Sequence, residues 1–182
     1  MVPIGRAGVT PRALPWLSIV ALLAPAPALA QSSREAAIKS EYLVKFGAYV
    51  AWPPGTGPVK LCVVGRDVLG RSLAAAAAGR SIAARPLVIE RMEAVSGQSG
   101  CAIAFIVGSA RQTVPAALEA LRSLPVLTVT DSRWNKARGM IHFQIAAGRV
   151  RFHIDDRAAG ESGLGISSKL LGLALTVRPR ER

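Results

Sequence analysis

The sequence predicts an α/β fold: a single three-layer domain with a mixed, largely parallel sheet, flanked by helices and finished by a C-terminal β-hairpin. Three observations carry this. Apolar runs of strand length (Leu61–Val64, Ala102–Val107 and Val126–Thr130) are separated by helical stretches, as in sheets covered on both faces. Downstream, Ile141–Ile145 and Val150–Ile154 alternate apolar and polar residues on either side of Ala147-Gly148. The first thirty residues read as an address and not as part of the fold.

Residues 1–12 carry Arg6 and Arg12 and no acid, Ala13–Ala24 is apolar, and Ala28-Leu29-Ala30 places small residues before Gln31. That order is the grammar of a secretory signal peptide, 1–30, cleaved after Ala30. Its apolar run is well short of the roughly 20 residues that span a bilayer. The mature domain is expected to be 31–182, in the oxidising periplasm, away from nucleotide pools and nucleic acid. Cys62 and Cys101, the two cysteines, both fall at strand-like runs, and a structural disulfide between neighbouring strands follows.

The elements follow in order. Ser32-Ser33-Arg34-Glu35 reads as a capping box that opens a helix running to about Val50 and stopped by Trp52-Pro53-Pro54. Its buried stripe is expected at Ile38, Tyr42, Phe46 and Tyr49. After the strand Leu61–Val64, Gly65-Arg66-Asp67 turns the chain into a helix ending near Gly79. Leu87–Glu90 is a short strand, Ala102–Val107 a buried strand, Thr113–Leu121 a helix, and Val126–Thr130 a third buried strand ending at Asp131. The hairpin register pairs Ile141 with Ile154, Phe143 with Phe152 and Ile145 with Val150 on one face. His142 opposite His153 and Gln144 opposite Arg151 lie on the other, an exposed polar face with Arg149 and Asp155 nearby. Ser167–Val177 reads as a buried helix or strand pair ahead of the basic tail Arg178–Arg182.

The composition narrows the chemistry. With 23 Lys plus Arg against 11 Asp plus Glu the formal charge is +12, and removal of Arg6 and Arg12 leaves +10. Aromatic residues are 5% of the chain, too few for a base-stacking platform. The surplus reads equally as an Arg-rich compositional bias or as a surface for an acidic partner, with Arg133, Lys136, Arg138, Arg149 and Arg151 bracketing the hairpin. Gly65–Ser72 has P-loop-like glycine spacing, but Arg71 stands where the phosphate-binding Lys belongs, so it reads as a strand-to-helix turn. The facing His142 and His153, with Asp155, are half a metal site at most, and no metal or cofactor is expected. No S-x-x-K or G-x-S-x-G occurs, and no catalytic residue is assigned.

Several segments together resemble the YfiR family of small periplasmic bacterial proteins. They are the helix closing on Phe46 and Trp52-Pro53, then Leu61-Cys62-Val63-Val64-Gly65-Arg66-Asp67 with Gly70 and Leu73, and Cys101 before Ile103–Ile106. Pro125–Val129 with Asp131 and Gly139-Met140-Ile141 follow, then Gly148–Phe152 with Ile154, and Gly163-Leu164 with Ile166–Leu171. The resemblance spans about residues 34–176. Arg138, His153 and Asp155 depart from residues often found there, and a second cysteine pair of some members is missing.

The resemblance implies a compact α/β domain with a Cys62–Cys101 disulfide and a binding regulator with no reaction of its own. It also implies repression of an inner-membrane diguanylate cyclase through the cyclase's periplasmic domain, lowering cyclic-di-GMP signalling and biofilm formation, and relieved by an outer-membrane lipoprotein. The contact surface is expected at Gln144, Arg149, Arg151 and His153 with the Trp134 loop, and a homodimer stays open. The alternative is a small-molecule sensor acting with a two-component kinase or TonB-type receptor, its ligand beyond the strand ends near Gly65 and Asp131. A hydrolase with an unrecognised site is a third, weaker reading.

Overall fold

Apolar runs that must hide on both sides need two covering layers, and the chain supplies them. A computed structural model describes residues 26–181. It begins with α1 (Ala26–Ala48) and β1 (Val50–Ala51), followed by β2 (Val59–Gly65), α2 (Gly70–Ala77), β3 (Ser81–Ile82) and β4 (Arg85–Met92). Next come β5 (Ile103–Gly108), α3 (Val114–Ala120), β6 (Leu127–Asp131), and the hairpin β7 (Ile141–Ala146) and β8 (Arg149–Asp155). The chain closes with α4 (Asp156–Glu161), β9 (Gly165–Ile166), α5 (Ser168–Leu171) and β10 (Thr176–Arg178). An 8-stranded sheet has the order β10-β8-β7-β6-β5-β2-β4-β3, antiparallel only at β7–β8 and β3–β4. β1 and β9 pair separately. This is the expected mixed, mostly parallel α/β architecture.

Alternation along the central strands divides the core. Val59, Leu61 and Val63 of β2 and Ile103, Phe105 and Val107 of β5 meet Leu43 and Phe46 of α1 and Leu73 of α2. On the opposite face Cys62, Val64, Ala104 and Ile106 meet Val114 and Ala117 of α3, with Leu121 just beyond it. At α3 the Thr113 side chain accepts from the Ala116 N–H and a proline occupies the first turn, which explains where that helix starts. The hairpin register is the one the alternation predicts, residue for residue from Ile141↔Ile154 to Ala146↔Arg149. Its Phe143 and Phe152 pack on Tyr42 and Phe46 of α1, with ring centroids 5.1–6.2 Å apart.

Four expectations need correction. α1 begins by Ala26, so Ser32 lies inside the helix and Glu35 bonds to side chains instead of closing a capping box. Ala and Leu upstream are strong helix formers and carry the helix back past the serines. Of the leader, residues 1–25 lie outside the described residues. The buried stripe of α1 is also rotated: Lys39, Ser40, Leu43, Val44 and Phe46 are buried, whereas Ile38 and Tyr49 are each 38% exposed. His142 is buried, because the crossover from β6 to β7 folds back over it. In that crossover Ala137 packs on the second core, and the Gly139 N–H donates to Thr130 Oγ1 at 2.9 Å. Finally β10 is an exposed edge strand running parallel to β8, where burial was expected.

Cys62 of β2 is bonded to Cys101 just ahead of β5, with Cα atoms 5.8 Å apart and a sequence separation of 39. Closing a loop of that length constrains the unfolded chain by about 4 kcal/mol in the chain-entropy treatment. The Cys62→Ser/Cys101→Ser double variant is therefore expected to melt roughly 8–16 °C lower, read by circular dichroism. An unchanged melting temperature contradicts a stabilising role for the bridge.

Candidate functional site

Side chains gather beyond the carboxyl ends of the parallel strands. From β2 the chain moves outward to β4 on one side, and from β5 it moves to β6 on the other. The order therefore reverses between β2 and β5, the place where open α/β sheets leave a crevice. Here the crevice floor is closed by backbone: Gly65, at φ +91°, has no room for a Cβ against the Gly108 carbonyl, and the Arg66 N–H donates to that oxygen at 3.3 Å. Above it lies a cleft of ≈ 530 Å³ between α1, the β2–α2 loop and the turn after β6. Its lining includes Ala36, Lys39, Arg66, Val68, Arg71 and Trp134.

Local bonding shapes that loop. Asp67 Oδ1 accepts from the Leu69 and Gly70 N–H groups at 3.0 and 2.8 Å, and Oδ2 accepts from Arg91 at 2.6 Å. The first amides of α2 are thus taken by the loop's own carboxylate, which is why P-loop-like spacing makes no phosphate cradle here. Burial pushes the Asp67 carboxyl up, but Arg91 and the two backbone donors outweigh it and hold it below the ordinary carboxylate value. After β6, Asp131 Oδ1 accepts from the Arg133 N–H at 2.9 Å, a tight turn that presents Trp134. The Arg66 guanidinium lies over the Trp134 ring, 4.7 Å from its centroid.

The floor beside the cleft is a buried ion network that the sequence reading missed. Lys39, only 3% exposed, donates to Asp131 Oδ2 at 2.5 Å and to Glu35 Oε1, and Arg133 closes the chain onto Glu35 Oε2 at 2.6 Å. Two signals for it were present. Lys39 sits three residues after Ala36 and four before Leu43 on the helical repeat, and Asp131 ends a buried strand, where an acid needs a partner.

A second groove runs along the other side of α1. Gln31, Arg34, Glu35, Ile38 and Tyr42 line it from the helix, and Ile145 and Gly148–Arg151 line it from the hairpin tip. Ile38 and Ile145 are 38% and 43% exposed there. Arg149 and Arg151 thus border this groove, while Trp134 belongs to the strand-end cleft, with the first turns of α1 between them. Gln144 and His153 sit on the sheet face away from α1, a face that Arg151, directly opposite Gln144, shares while bordering the groove. The five expected contact residues therefore do not form one patch. His153 Nε2 donates to Gln144 Oε1 at 2.7 Å, and its Nδ1 accepts from the Thr176 hydroxyl at 2.6 Å. With His142 Nδ1 engaged by Thr130 Oγ1 at 2.8 Å, three of the four ring nitrogens are occupied. Among the described residues no group of three or more His, Cys, Asp or Glu is placed to hold a metal ion.

The charge is distributed unevenly. All 11 acidic side chains stand in ion pairs. The cationic surplus is left on seven arginines and three lysines without an ion pair among the described residues. Arg66 and Arg71 are at the cleft, and Arg34, Arg149 and Arg151 at the groove.

Comparison with known proteins adds one finding: a family model described as YfiR/HmsC-like matches residues 36–175. No curated protein matches the chain.

Two predictions follow from the buried groups. Lys39→Ala leaves Asp131 buried without its cation and is expected to cost about 3–5 kcal/mol in urea unfolding, with most of it recovered when Asp131 is also made apolar. A loss under about 1 kcal/mol contradicts the network's importance. For His142, burial, Arg138 and His153 depress the imidazole below its ordinary 6.5, against an opposing pull from Asp131. Burial and Arg138 depress His153 in the same direction. The fold thus favours neutral rings, so their contribution is complete above the ordinary 6.5 and is lost as pH falls through the folded values. The urea midpoint should drop on acidification below that pH, and less steeply in His142→Gln; a flat profile contradicts this.

Proposed function

The chain belongs to the YfiR/HmsC-like family, and from that membership we propose that it is a periplasmic regulatory binding protein that represses a membrane-bound diguanylate cyclase. In this reading it is exported by the 1–30 leader, cleaved after Ala30, and performs no reaction itself. It engages the cyclase's periplasmic domain, lowers cyclic-di-GMP and biofilm formation, and is drawn off by an outer-membrane lipoprotein. The observation that carries the reading is the family match over residues 36–175, which takes in both cores, the hairpin and the disulfide. Inhibition then follows as a population shift, since a regulator that binds the inactive cyclase more tightly than the active one moves the equilibrium by that difference.

The charge distribution supports an acidic partner. With every acid already paired, Arg149 and Arg151 meet a partner's carboxylates without competition from this chain, and Ile38 and Ile145 offer apolar area beside them. We assign the partner contact to Arg149 and Arg151 first, with Gln144 and His153 on the adjoining face and Trp134 at the cleft. The strand-end cleft favours the alternative reading, a small-molecule sensor acting with a two-component kinase or TonB-type receptor.

The test is co-purification from detergent-solubilised membranes, together with measurement of cellular cyclic-di-GMP. Recovery of a diguanylate cyclase and a rise in cyclic-di-GMP on gene deletion are the expected results, with Arg149→Glu/Arg151→Glu recovering no cyclase and failing to lower cyclic-di-GMP in the deletion strain. Unchanged cyclic-di-GMP and no cyclase in the eluate would overturn the reading. An Arg149→Glu/Arg151→Glu variant that binds the cyclase normally overturns the contact assignment alone.

A further inference from the structure

The strand-end cleft has its own chemistry, independent of docking. Its volume of ≈ 530 Å³ suits a small organic molecule. Four of its charged side chains cancel: Lys39 and Arg133 are tied to Glu35 and Asp131. A fifth, Asp67, is neutralised by Arg91 from outside the lining. Arg66 and Arg71 are left with no ion pair among the described residues, so the cleft carries two uncompensated positive charges.

Arg66 is also held in a useful attitude. Its guanidinium lies over the Trp134 ring, 4.7 Å from the centroid, and has no side-chain acceptor among the described residues beyond that contact. Stacking uses the π-face of a guanidinium and leaves its in-plane N–H donors free, the arrangement that grips a carboxylate or phosphate through two parallel bonds. Ala36, Val68 and Leu69 supply an apolar wall beside it. The wall suits the body of the ligand, and the two arginines suit its head.

We propose that this cleft binds a small organic anion, with its carboxylate or phosphate head between Arg66 and Arg71 and its apolar body against Val68 and Ala36. The Arg66–Trp134 stack makes the indole a reporter of occupancy. Because the ligand is held between α1 and the β2–α2 loop, occupancy also stiffens the α1 segment shared with the neighbouring groove, through Glu35.

The experiment titrates protein purified from the periplasm with phenyl phosphate and with benzoate at low salt, following tryptophan fluorescence and heat. Benzyl alcohol serves as the uncharged body and inorganic phosphate as the bare head. Saturable binding of one aromatic anion is expected, with no binding of benzyl alcohol and a loss of about tenfold or more in Arg66→Ala and in Arg71→Gln. Preference for phenyl phosphate assigns a phosphomonoester ligand, and preference for benzoate assigns a carboxylate. Arg71 is exposed, so Arg71→Gln keeps the test valid if Arg66→Ala unfolds. No saturable binding of either anion at millimolar concentration overturns the proposal, and so does binding that both variants retain. Cyclase binding is not read in this experiment, so its failure leaves the docking reading standing.

Discussion

Lys39 extends from α1 to the end of β6, where its ammonium lies between Glu35 and Asp131 out of contact with water. A cation and an anion buried this far stabilise a fold only when both are present and well bonded, since either one alone carries its full desolvation cost. The network therefore sets one position for α1 along the sheet. Much else depends on that position. The Tyr42–Phe46–Phe143–Phe152 aromatic cluster needs the helix at this depth, and the cleft and the groove are simply the spaces on its two flanks.

The same placement explains why the functional surface is split. The first turns of α1 divide the carboxyl end of the sheet into a cationic cleft with Arg66, Arg71 and Trp134 and a cationic, partly apolar groove with Arg149 and Arg151. Because each acid is matched to a base, the net positive charge is not spread evenly over the molecule. Of the ten described Lys and Arg side chains without an ion pair, five face these two openings. A partner domain seated on the groove and a small anion in the cleft would share Glu35 and its neighbours, which gives a physical route for one to influence the other.

Periodicity made much of this fold legible. Continuous apolar runs identified the strands with two covered faces, and alternation set the hairpin register down to the Phe143–Phe152 pair. The expectation of export and the two cysteines point to the disulfide. Periodicity failed where polar residues do core work. The buried face of α1 includes Lys39 and Ser40, so a search for apolar spacing alone settled on Ile38 and Tyr49 one step round the helix. Alternation says which face His142 takes, not whether a crossover will cover that face. The parallel return of β10 depends on the path of the chain after α5, and no local pattern encodes it. For the candidate site, Arg149, Arg151 and Trp134 were each found, but their separation by α1 is a tertiary fact.

The proposed function has this chain dock its cationic groove, bordered by Arg149 and Arg151, on an acidic domain of a membrane signalling protein. Hydrogen–deuterium exchange, comparing the free protein with its complex with the cyclase periplasmic domain, measures that directly. The account predicts added protection in residues 31–39 of α1 and 145–151 of the hairpin tip, with β3, β4 and α3 unchanged. Protection confined to β3, β4 or α3, or no change anywhere, would contradict it.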